Sequence, residues 1–197
     1  TMCLAKWNQT SLHLPTGLTN SCYHPPLHKI DADAVKLNPA ALHNTQDKLN
    51  QRQQMLQGEQ PEGCSYCWNI EKTGEMSDRH YRSGEPWAMQ DFEDIRKNPM
   101  TTSWTPRYVE VNFNNACNLR CKYCFTNSPK GDHVKEYLDI GAIRKLADEA
   151  DELGYFEFDL QGGELLLQPK KLFEVLNDEY KEKLVMLLIS EAPGLNP

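Results

Sequence analysis

Chemistry in this chain is concentrated in its cysteines, which stand at positions 3, 22, 64, 67, 117, 121 and 124. Their odd count excludes a complete intramolecular disulfide framework, and two close-spaced groups, Cys64/Cys67 and Cys117/Cys121/Cys124, point to metal ligation instead. In Cys117-Asn-Leu-Arg-Cys121-Lys-Tyr-Cys124, three thiolates share one short loop. Such a loop can wrap one corner of a cubic iron–sulfur cluster, for which thiolates are the soft ligands required. A [4Fe–4S] cube has four irons, so one iron keeps an open position where a substrate or cofactor can bind. Three ligands of a zinc site, or buried free cysteines, are the alternatives.

With Tyr123 just before its last cysteine, this loop resembles the CxxxCxxC signature of the radical S-adenosylmethionine (SAM) superfamily. A second feature resembles the same family: Gln161-Gly162-Gly163-Glu164 follows a strand-like segment directly, as a Gly-Gly-Glu does at the end of the family's second strand. Alone, Gly-Gly would read as a turn and Glu164 as a solvated charge. Together, at the C-terminal end of a parallel strand, they stand where αβ barrels place ligands. The resemblance implies that Cys117, Cys121 and Cys124 hold a [4Fe–4S] cluster. It further implies that SAM chelates the open iron, with Tyr123 beside the adenine and Gly162, Gly163 and Glu164 lining its amino group. One-electron reduction would then cleave SAM to a 5′-deoxyadenosyl radical that abstracts hydrogen from a substrate. The protein's part is to position and shield that chemistry. A reducing partner such as flavodoxin or ferredoxin is expected, and a peptidyl substrate is preferred on family grounds alone.

Cys3, Cys22, Cys64 and Cys67 make four, the number that saturates either a zinc ion or a second [4Fe–4S] cube. With Gly17, the pattern Cys-x13-Gly-x4-Cys followed by Cys-x2-Cys resembles the opening half of the SPASM and twitch auxiliary-cluster domains. Those domains usually follow the barrel. Here the pattern precedes it, as in radical SAM proteins with an N-terminal twitch domain. Both occupants, auxiliary cluster and zinc, stay open at this point. The histidines show no ligand spacing, and the Cys22/His24 pair reads as incidental.

These residues need elements to hold them. Residues 1–30 read as short strands and turns. A helix is expected over about 40–57 with Leu42, Leu49, Met55 and Leu56 as its apolar stripe, followed by a knuckle over 63–68. Residues 71–104 read as a loop-rich connector with a short helix near 88–97, in which Tyr81, Trp87 and Trp104 serve packing more than substrate entry. Val109, Val111 and Phe113 alternate with Glu110 and Asn112 as a strand over 108–113, whose polar face needs a purpose if it is buried. Asp139 caps a helix carrying Ile143, Leu146, Ala147, Ala150 and Leu153, ended by Gly154. The acidic run at 148–152 is its solvated face. A strand over 155–160, a helix near 170–180 presenting Leu172, Phe173, Leu176 and Tyr180, and an apolar strand over 184–189 complete a βαβαβ order, hence a parallel sheet.

The expected fold is α/β. A small cysteine-rich α+β twitch-like module spans 1–104, and 105–197 form the N-terminal part of a radical SAM partial barrel with three strands. Because the family's core usually has six βα units, the chain reads as a portion of a longer protein, with an exposed edge on its sheet. Net charge is −7 and the pI about 5.4, against general nucleic-acid or anionic-membrane binding. No segment has the length of a membrane span and no apolar signal core is evident, so a cytoplasmic location is expected. The competing functional reading is a non-catalytic zinc or iron–sulfur module joined to a degenerate barrel fragment.

Overall fold

The computed structural model describes residues 1–101, 106–112, 116–120, 122, 139–152, 157–161 and 163–175. One helical turn, α1 (Ala5–Asn8), leads straight into β1 (Gln9–His13), and the chain returns as β2 (Leu18–Asn20). Gly17 makes that return possible: its φ is 65°, a region that glycine enters without penalty, and its amide donates to the His13 carbonyl at 2.9 Å. A short β3 (His28–Lys29) follows, then α2 (Ala32–Leu37), whose first amides donate to the Asp31 carboxylate.

The helix expected over 40–57 is two elements, a 3-10 turn at Pro39–Leu42 and α3 (Gln46–Leu56). Capping explains the break, because the Thr45 hydroxyl accepts from the Lys48 amide and starts a new helix there. The polar stretch after it is more helical than its sequence suggests: α4 (Ser65–Lys72), α5 (Asp78–Gly84), α6 (Pro86–Met89) and α7 (Phe92–Lys97). Helices this short are held by tertiary packing rather than by their own propensity. Trp68, Trp87, Ala88 and Ile95 from these turns are buried in one cluster with Cys3, Leu4, Trp7, Met55 and Tyr108. Trp87 also stacks on Tyr108 with ring centroids 5.0 Å apart. Tyr81 is exposed, and Trp104 lies outside the described residues.

Next come β4 (Tyr108–Asn112), α8 (Ile140–Glu152), β5 (Glu157–Gln161), a 3-10 turn at Leu165–Leu167 and α9 (Pro169–Val175). The Asp139 carboxylate accepts from the Ala142 amide at 3.0 Å and so caps α8 as expected. Phe173 departs from expectation. It is 66% exposed while Leu172 is buried, since one residue of helix turns a side chain by about 100°. Phe113, Leu153, Gly154, Leu176, Tyr180 and the strand expected at 184–189 lie outside the described residues.

The five strands among the described residues form one sheet in the order β3-β2-β1-β4-β5. The β1–β4 and β4–β5 pairs are parallel, with Gln9 opposite Tyr108 and Tyr108 opposite Glu157; β1–β2 and β2–β3 are antiparallel. The sheet is therefore continuous across residue 104. Strand β4 is paired on both sides, with β1 satisfying the main-chain groups on the side away from β5. Leu12, Val109 and Val111 on one face pack against Ile143 and Ala147 of α8 and Leu172 of α9. The opposite face is polar and still buried: Gln9, Ser11, Tyr108, Glu110 and Asn112 each expose 4% or less. The described residues thus form a mixed α/β structure.

Candidate metal centres

Four cysteines far apart in sequence, Cys3, Cys22, Cys64 and Cys67, line a single cavity with about 380 Å³ of empty space including its mouth. Each arrives on a different kind of support. Cys3 precedes α1 and accepts the Lys6 amide on its carbonyl at 3.0 Å. Cys22 sits in the bend after β2, which the Asn20 side chain closes by donating to the Pro25 carbonyl at 3.2 Å. Cys64 ends a 3-10 turn and Cys67 lies in the first turn of α4. The two turns approach closely only because residue 63 is glycine. A Cβ there would come within 3.1 Å of Pro26 Cδ and 3.5 Å of Pro25 Cβ. Arg79 secures the N-terminal segment: its guanidinium pairs with both Glu71 oxygens and donates to the Met2 carbonyl at 2.9 Å.

Burial dominates the electrostatics of these thiols. Cys3 is pushed up to about 12, and Cys22, Cys64 and Cys67 are raised as well, in each case first by burial. Neighbouring thiols add to the rise, while the Lys6 ammonium pulls Cys3, Cys22 and Cys64 the other way. Without metal the four are neutral at pH 7, and loading a metal must displace their protons. None of the four is in a disulfide. Among the described residues, no three metal-ligating side chains stand close enough to hold one ion. A single zinc would need sulfurs within about 3.8 Å of each other, given Zn–S bonds near 2.3 Å in a tetrahedron. A cube receives each thiolate on a different iron and tolerates a wider spread.

Sequence reasoning missed the cavity's polar wall. His24, read as incidental, lines it, stacks on Tyr66 at 4.1 Å and meets Asp78 at 2.7 Å. Lys6, Arg79 and Arg82 line it too, with Arg82 stacked over the Tyr23 and Tyr108 rings at 4.7 and 5.2 Å. Only the Cys22/His24 adjacency offered a signal in the sequence; buried cations offer none.

The second centre lies at the other end of β4. Strand β2 runs antiparallel to β1 and delivers Cys22 toward the Gln9 end, beside Tyr108 at the start of β4. Asn112 ends β4 and the loop bearing Cys117 follows, so the strand alone puts about 13 Å between the two ends. Cys117 is partly buried with a free thiol, whereas Cys121, Tyr123, Cys124 and Gly162 lie outside the described residues. Gly163 is half-buried, and Glu164 is buried. The Glu164 amide donates to the Ala116 carbonyl at 2.8 Å, which ties Glu164 to the residue before Cys117. Its carboxylate accepts the Leu166 amide at 2.8 Å and caps the 3-10 turn. Nearby, the Asn112 Oδ1 is buried with no hydrogen-bond partner among the described residues, the kind of orphan that a bound polar group resolves. Glu110, midway along β4, accepts from Gln9 Nε2 at 3.0 Å and from the Ser11 hydroxyl, so its buried carboxylate is satisfied.

Comparison with known proteins bears on the second centre. The chain matches 32% of 82 residues in a GTP 3′,8-cyclase of Tolumonas auensis, over 40% of this chain and 24% of that protein. It is 30% identical over 86 residues to a 5-amino-6-(D-ribitylamino)uracil–L-tyrosine 4-hydroxyphenyl transferase of a Nostoc species, over 44% of this chain and 21% of that one. The matches thus span about a quarter or less of the length of these curated relatives. No solved structure matches the chain. Residues 111–194, which include the three-cysteine loop and the Gly-Gly-Glu segment, match the family model of the radical SAM superfamily.

Proposed function

We propose that the chain is part of a radical SAM enzyme. Cys117, Cys121 and Cys124 would hold the catalytic [4Fe–4S] cluster, and Tyr123, Gly162, Gly163 and Glu164 would bind SAM. The observation that carries this reading is the Glu164–Ala116 hydrogen bond. It holds Glu164 against Ala116, the residue before Cys117, at the C-terminal edge of parallel strands, where such sheets bind ligands. The orphaned Asn112 Oδ1 beside that edge fits a polar cofactor. What a bound cluster and SAM supply is reductive cleavage to methionine and a 5′-deoxyadenosyl radical, for hydrogen abstraction from a substrate. The chain's own tasks are to fix three thiolates on one loop, to present backbone amides to the cofactor and to close the sheet face behind it. The superfamily match and the two enzyme relatives support this reading. A peptidyl substrate and a flavodoxin- or ferredoxin-like reductant belong to the same proposal.

The four N-terminal cysteines would hold an auxiliary [4Fe–4S] cluster in a twitch-like setting. Their convergence on one cavity supports a shared metal site, and the resemblance of Cys-x13-Gly-x4-Cys and Cys-x2-Cys to twitch domains favours a cube over zinc. Placed at the opposite end of β4 and saturated by four thiolates, this cluster would serve electron transfer or structure rather than hold substrate beside SAM. Metal analysis of the whole chain after anaerobic reconstitution tests the assignment. About eight irons per chain are expected for two cubes, whereas about four irons with one zinc would refute the auxiliary cluster.

A further inference from the structure

The cavity wall carries a cation that packing alone does not explain. Lys6 is 1% exposed, and no carboxylate among the described residues pairs with it. Taking an ammonium out of water without a counter-ion is costly. Yet its position is built with care. Arg52, itself fully buried, donates from Nε to the Lys6 carbonyl at 2.7 Å and fixes the backbone. Gln51 Oε1 and Ser21 Oγ accept from the Lys6 ammonium at 2.5 and 3.4 Å. Both acceptors are neutral, so they orient the charge without cancelling it. Arg82, the cavity's other cation with no ion pair among the described residues, faces the same space over Tyr23 and Tyr108. Cys64 lies within reach of the Lys6 ammonium on this wall.

We propose that Lys6 is the counter-charge of the four-cysteine centre, a positioning residue that donates to a ligand thiolate and eases reduction of the cluster held there. This rests on the auxiliary-cluster reading above. Four thiolates on an oxidised cube, whose core carries 2+, leave the assembly at 2−, and the anion supplies the counter-charge that Lys6 lacks. One electron from an external reductant takes the core to 1+ and the assembly to 3−. A fixed positive charge favours that more negative state, since net charge and hydrogen bonds to the sulfurs set the potential. Zinc has no such step, so a potential effect also separates the two occupants.

The test uses the full chain carrying Cys117→Ala, Cys121→Ala and Cys124→Ala, which isolates the N-terminal centre. It is reconstituted anaerobically and titrated with dithionite under electron paramagnetic resonance. Lys6→Met keeps length and apolar volume, Lys6→Arg keeps the charge, and Gln51→Glu neutralises Lys6 in place without opening the packing. The expected result is about four irons per chain in the parent. Lys6→Met and Gln51→Glu should each disfavour reduction at least tenfold, a fall of about 59 mV for one electron, with Lys6→Arg close to the parent. If Lys6→Met fails to load, Gln51→Glu alone decides. Full loading with an unmoved midpoint overturns the role of Lys6 and leaves the auxiliary cluster standing. A parent that binds zinc or no iron overturns both.

Discussion

Glu71 illustrates how far from the cysteines their support extends. Hydrogen bonds from Arg79 hold its carboxyl down at about 2, against an ordinary 4.5, with Ser77 donating to the same group and His80 adding positive charge. A depressed folded-state value stabilises the fold at every pH above the unfolded value. That stabilisation is lost as pH falls from about 4.5 toward 2. Urea unfolding between pH 6 and 3 is therefore expected to show an acid-dependent loss that Glu71→Gln largely removes. Equal slopes in the two proteins would contradict the assignment. Because Arg79 also holds the Met2 carbonyl, the same acidification should loosen the segment that carries Cys3.

Among the elements, Gly63 makes the sharper prediction. The turn ending at Cys64 packs on the Pro25–Pro26 bend beyond Cys22, and an added methyl would meet Pro26 Cδ at 3.1 Å. Gly63→Ala is expected to cost about 1–3 kcal/mol, as overpacking does, and to lower metal loading by the N-terminal centre while leaving the 116–120 loop unaffected. Metal content and denaturant midpoint check it; normal loading would show that the turns can separate. Such contacts also mark where the sequence was legible. Strand β4, the capped start of α8 and strand β5 were readable because alternation and an Asp cap are local signals. Helices α4 to α6 were not, since four to eight residues around Trp68 and Trp87 acquire their helical state from the shared core. Phe173 was assigned to the wrong side of α9 because a short apolar pair does not fix helical phase.

At the scale of the molecule, one sheet relates the two candidate centres. Within residues 1–13, β1 runs parallel to β4, so the segment that carries Cys3 and the segment 116–120 adjoin opposite ends of one sheet, whose buried polar face runs from Gln9 to Asn112. Spacing grouped the three later cysteines, and their number and the resemblance to twitch domains grouped the four N-terminal ones, but neither gave a sign that β1 joins β4, because pairing across a hundred residues leaves no local pattern. Lys6 and Arg82 were invisible for the same reason, and His24 was marked only by its nearness to Cys22. Their value lies in where the sheet brings them. Among the described residues no helix is long and apolar enough to cross a membrane.

The central claim, that one iron at the three-cysteine loop is left open for SAM, is tested most directly by electron paramagnetic resonance of the reduced, reconstituted full chain with and without SAM. A cluster with an open iron bound by SAM predicts a shifted signal on adding the cofactor, and loss of that shift in Cys117→Ala. A loaded protein whose spectrum is unchanged by SAM would contradict the account.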